Sequence, residues 1–103
     1  MTNLMMLSLA DLNAHPDRYT LIDVRDAAEF SARHIPGATN VPLSTLPSVG
    51  RVPLGKVPVT VCGKGGGRST EAAARLRALG LHETLWLEGG TIGWFEANEA
   101  SRP

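Results

Sequence analysis

Short apolar or β-branched runs alternate with helix-period segments along this whole sequence, and that alternation narrows the architecture more than any single residue does. Tyr19-Thr20-Leu21-Ile22, running into Asp23-Val24-Arg25, reads as a compact strand. Val59-Thr60-Val61 follows Pro58, and Thr84-Leu85-Trp86-Leu87 follows Gly80. Between these two runs Ala72, Ala73, Leu76 and Leu79 fall on one helical face. Glu71 and Arg75 are placed to pair at four-residue spacing, and Gly80 stands where a helix-ending glycine belongs. Strands joined by helices over short connections imply right-handed crossovers and a parallel sheet covered on both faces. In open sheets of that kind, ligands bind beyond the carboxyl ends of the strands. Asp23 and Cys62 stand at two such ends.

The remaining elements follow from punctuation. Leu4 to Leu7 is expected to be the first strand, since the run is too short for a signal segment or a membrane span and no Lys or Arg precedes it. Ser8 with Asp11 resembles a capping box and predicts a short helix to about Ala14, with Leu9 and Leu12 inward and Pro16 as its stop. A brief helix is expected over Ala27 to Arg33, a Pro36-Gly37 turn, a short strand over Ala38 to Val41, a turn at Gly89-Gly90 and a closing helix over Ile92 to Asn98. Residues 43–57 carry only scattered leucines among prolines and glycines, which suggests a short helix and a loop. The chain of 103 residues is read as one domain, residues 1–103, with room for one core. Ten basic side chains balance ten acidic ones, so neither nucleic acid nor a membrane surface is an expected partner. A lone cysteine makes no internal disulfide, and the chain reads as cytoplasmic.

That cysteine heads the most informative stretch, Val59-Thr60-Val61-Cys62-Gly63-Lys64-Gly65-Gly66-Gly67-Arg68-Ser69-Thr70. A strand, a glycine-rich basic loop and a helix in succession let consecutive amides curl inward as an anion nest. The positive end of the helix adds to the same field. Lys64 and Arg68 supply formal charge, and the planar fork of Arg68 can grip two oxygens of an oxyanion at once. A sulfur in that cradle is favoured as thiolate. Taken alone, a lone cysteine is usually a small buried hydrophobe; its place before this loop shifts the balance towards a nucleophile. The spacing fits neither a Walker-type phosphate loop nor a dinucleotide fingerprint. His15, His34 and His82 share no ligand spacing with Cys62, so no metal is expected, and nothing calls for a cofactor.

These residues resemble the rhodanese family in its single-domain form. Leu21-Ile22-Asp23-Val24-Arg25, Glu29-Phe30, His34-Ile35-Pro36-Gly37-Ala38 and Asn40-Val41-Pro42 are similar to its first signature. The strand into Cys62, the basic loop, Arg68-Ser69 and the alanine-rich helix are similar to its active-site segment, and Leu87-Glu88-Gly89-Gly90 through Trp94 to its C-terminal signature. The resemblance implies an α/β fold with a five-stranded parallel sheet flanked by helices on both faces. It also implies sulfur transfer through a persulfide on Cys62, with thiosulfate or a like anion held by Gly63, Lys64, Gly65, Gly66, Gly67 and Arg68, and a protein as a possible sulfur donor or acceptor. One departure stands out: five residues separate Cys62 from Arg68, where many single-domain members have four. Cys-x5-Arg-Ser also fits the phosphatase signature, as in rhodanese-fold cell-cycle phosphatases and arsenate reductases. Against that reading, Val61 replaces the His that those phosphatases usually carry, and no aspartate is obviously placed as the general acid that an ester leaving group requires. A binding module without activity is a third reading, disfavoured by the presence of Cys62.

Other conspicuous residues take structural expectations. Asp23 should anchor neighbouring loops, Arg25 and Glu29 should pair with each other, and His34 should fix its own turn. Trp86 and Trp94 should fill the core, and Arg51 should be solvated.

Overall fold

The computed structural model describes residues 5–46 and 55–100. Nine strands and α-helices follow in chain order among the described residues: β1 (Met6–Leu7), α1 (Leu9–Ala14), β2 (Tyr19–Asp23), α2 (Ala27–Ala32), β3 (Thr39–Asn40), β4 (Val57–Val61), α3 (Arg68–Ala78), β5 (Leu85–Leu87) and α4 (Gly90–Ala100). Short 3-10 turns lie at Pro16–Arg18 and Leu43–Thr45. All strand pairs are parallel, in the order β1-β5-β4-β2-β3. The expected five-stranded parallel α/β sheet is therefore present.

Alternation along the strands sends side chains to two faces. Leu21, Val59, Val61, Leu85 and Leu87 pack with Leu7, Leu12, Ile35 and Trp94, beneath α1 and α4. Ile22 and Val24, one residue out of phase, pack with Val41, Leu46, Cys62, Ala72 and Leu76, beneath α3. The helix α1 is capped as expected, the Ser8 hydroxyl accepting from the Asp11 N–H at 3.0 Å. The Glu71–Arg75 pair forms on α3, and Gly80 follows that helix at φ +109. Trp94 packs against the core beneath α4 while Trp86 is half-buried. Among the described residues no helix is long and apolar enough to cross a membrane.

Boundaries differ where pairing partners run out. Among the described residues the first strand pairs at the two positions that face Trp86 and Leu87, Leu4 of the expected run lying outside the described residues, and β3 keeps only those that face Ile22 and Asp23. Within residues 43–57 the expected helix is a 3-10 turn, and strand β4 begins at Val57; residues 47–54, Arg51 among them, lie outside the described residues.

Strand order fixes where a site belongs. From β2 the chain leaves through α2 to β3, on one side; from β4 it leaves through α3 to β5, on the other. The two connections part between the carboxyl ends of β2 and β4, which makes that crevice the topological switch point. Cys62 follows β4 there, and Asp23 ends β2.

Candidate active site

Cys62 is 5% exposed and belongs to the apolar cluster beneath α3. Its Sγ lies 3.2 Å from the Gly66 carbonyl oxygen and 3.3 Å from Ser69 Oγ, and the thiol donates to one of them at a time. The Ser69 hydroxyl donates to the same Gly66 carbonyl at 2.9 Å, and the Ser69 N–H does so at 3.1 Å. Gly66 thus closes the loop over the sulfur while Ser69 holds it from the first turn of α3.

The loop owes its shape to the far side of the sheet edge. The N–H groups of Thr91 and Ile92, at the start of α4, donate to the carbonyls of Cys62 and Gly63 at 2.8 and 2.9 Å. In a trans peptide the N–H points opposite to its C=O, so the amides of Gly63 and Lys64 are directed away from α4. No amide from Gly63 to Arg68 donates to another described group. Two glycines make this docking possible. A Cβ on Gly90 would stand 2.6 Å from the Cys62 carbonyl oxygen and 2.7 Å from the Gly65 nitrogen, and one on Gly65 would stand 2.7 Å from the Gly89 nitrogen. Both have positive φ besides.

The cations of the loop do not stand alike. Lys64 is exposed and has no ion pair among the described residues. Arg68 gives both arms of its fork to Glu29, at 2.9 and 3.2 Å, with the two side chains 42% and 40% exposed. Hydrogen bonds from Arg68, and next from the Asp26 N–H, lower Glu29 to about 2. Reciprocally, Glu29 raises Arg68 above its ordinary value, and Cys62 adds in the same direction through its charge.

The expected Arg25–Glu29 pair is not made. Arg25 is clamped on Asp23 instead, with Nε at 3.0 Å and Nη2 at 2.7 Å from its two carboxylate oxygens, both residues buried. Asp23 does anchor the neighbouring loop, as expected, since Arg25 also reaches the Arg33 carbonyl at 2.6 Å. His34 fixes its turn through Nδ1 on the Phe30 carbonyl at 2.8 Å and stacks on that ring. A cleft of about 550 Å³ lined by Tyr19, Ile35, Lys56 and Trp94 opens at the amino ends of the strands, and no residue of the cysteine loop lines it. The switch-point crevice is the better candidate because, among the described residues, it unites a cysteine sulfur, amides without partners and the two loop cations.

The profile of the family described as "Rhodanese-like domain" matches residues 8–97. The chain belongs to that family. Relatives within it carry further names. The chain is 32% identical over 74 residues to a protein of Tolumonas auensis named thiosulfate sulfurtransferase GlpE, a match over 72% of this chain and 70% of that one. It is 36% identical over 80 residues to a Mycobacterium tuberculosis protein named as a probable adenylyltransferase/sulfurtransferase, MoeZ; 75% of this chain matches, spanning 20% of the relative's length. Among solved structures, the human single-domain sulfurtransferase TSTD1 superposes with a TM-score of 0.78 at 28% identity, over 89% of this chain and 96% of that one. Sequence reasoning singled out Cys62 and its loop within this rhodanese-like chain, but it assigned Glu29 to Arg25 and gave no role at the site to Ser69 or the Gly89-Gly90 turn. The signal for the turn was the glycine pair itself, directly before a helix.

Proposed function

We propose that this chain is a sulfurtransferase that carries sulfane sulfur as a persulfide on Cys62, with thiosulfate or a persulfide as donor. The observation that supports it best is the loop itself: a sulfur at its base, six consecutive amides without partners among the described residues, and carbonyls pinned to α4 so that the amides stay available. With thiosulfate, the Cys62 sulfur, its proton released to solvent, attacks the outer sulfur of the donor. A new S–S bond forms, the donor's S–S bond breaks, and sulfite leaves with the electron pair. A thiophilic acceptor then attacks the terminal sulfur, and the Cys62 thiolate leaves. Free amides and Lys64 serve the anion in both halves, and the Ser69 hydroxyl, by turning from Gly66, can donate to a sulfur that has lost its proton. No general base is required once the nucleophile is ionised.

Incubation with thiosulfate is expected to add the mass of one sulfur atom to the wild-type chain and nothing to Cys62→Ser. The Cys-x5-Arg spacing favours a second reading, a rhodanese-fold phosphatase. Asp23, the aspartate that ends β2 on this side, is locked on Arg25 and so is poorly suited to protonate a leaving group. An unmodified mass together with phosphate-ester turnover would promote that reading, and neither result would promote a binding module.

A further inference from the structure

The Glu29–Arg68 pair spans the crevice. Glu29 lies on α2, the connection leaving β2, and Arg68 begins α3, the connection leaving β4. A Cβ on Gly63 would come within 4.0 Å of Arg68 Nη2, so the guanidinium lies over the first residue after the nucleophile. Both arms of its fork are already filled by a carboxylate, in the two-pronged manner in which an arginine grips an oxyanion. The carboxylate is steadied from its own side by the Asp26 N–H, 3.1 Å from Oε2. Arg25, the other guanidinium at this end of the sheet, is spent on Asp23. Lys64 is therefore the loop cation left to draw an anion in, and Arg68 can join only by exchange.

We propose that Glu29 is a specificity-determining residue: its carboxylate stands in the fork of Arg68, and an anionic donor reaches Arg68 only by displacing it. This rests on the sulfur-transfer reading for its substrate, small oxyanions that present two or more oxygens to the fork. Such anions compete with Glu29; a donor without an oxyanion leaves the pair closed.

Glu29→Gln tests it, because a glutamine can still accept from the Asp26 N–H and keep α2 capped. With thiosulfate as donor and cyanide as acceptor, Glu29→Gln is expected to lower KM for thiosulfate about two- to fivefold, the factor that an exposed ion pair carries, with kcat retained. Sulfate, an unreactive oxyanion, should protect Cys62 from iodoacetamide at correspondingly lower concentration. In an Arg68→Gln background the same substitution should move neither quantity, because the fork is gone. An unchanged KM and unchanged sulfate protection in Glu29→Gln overturn the proposal, and so does a fall that persists without Arg68, which would make Glu29 a simple repelling charge. Should the wild type transfer no sulfur while sulfate protection still sharpens in Glu29→Gln, the transfer reading fails and the role of Glu29 stands.

Discussion

Glu29 sits between two donors that favour its charged form, and this has a consequence for acid stability. Its carboxyl is lowered from 4.5 to about 2 by Arg68 and the Asp26 N–H. A group more acidic in the folded chain than in the unfolded one adds stability above its unfolded value and loses it as pH falls through the folded one. The stability difference between wild type and Glu29→Gln, read from urea midpoints, is expected to shrink as pH falls from about 4.5 towards 2. A difference constant across that window would contradict the assignment. The same residue shows where sequence reading stops. Cys62 was legible because its residue type is rare here and its neighbours are glycines. The Arg25–Glu29 pair was misread because four-residue spacing brings side chains together only on a helix. Arg25 precedes Asp26, the N-cap of α2, and Asp23 is two residues away on the same strand end. The true partner of Glu29 stands 39 residues along the chain.

At the scale of elements, the cysteine loop is shaped by α4 as much as by its own glycines. The closing helix was expected from Ile92, after the Gly89-Gly90 turn; it starts at Gly90, because the turn that delivers the Thr91 and Ile92 amides to the loop is already helical. Gly90→Ala is expected to cost more than about 3 kcal/mol and to abolish loop docking, since the new methyl meets three backbone oxygens and nitrogens that cannot give way. Gly66→Ala makes a useful contrast. Its φ is +71 but nothing lies within 4 Å of the added methyl, so the cost should stay near the ~1–2 kcal/mol of a left-handed residue. Equal losses in thermal denaturation of the two variants would deny the docking any energetic weight.

For the whole molecule, β2 contributes to both apolar clusters through Leu21 and Ile22, and β4 with the residue that follows it does likewise, through Val59 and Val61 on one side and Cys62 on the other. Leu76 lies fully buried in one and Leu87 in the other. Leu76→Ala and Leu87→Ala are each expected to lower stability by about 2–5 kcal/mol. Because the clusters share strands, either change should shift one common urea transition; separate transitions for the two faces would show that they fold apart.

The sequence by itself determined the class of fold, through short apolar or β-branched runs alternating with helix-period segments, and it marked the candidate nucleophile and its loop, because those depend on residues adjacent in the chain. Chain-local rules reach as far as a turn, a cap or a strand end. Only the tertiary structure decided that Arg68 faces Glu29, that Arg25 belongs to Asp23, and that the first amides of α4 pin the carbonyls of Cys62 and Gly63. Those contacts join segments brought together by sheet order, and no spacing within a single element encodes them.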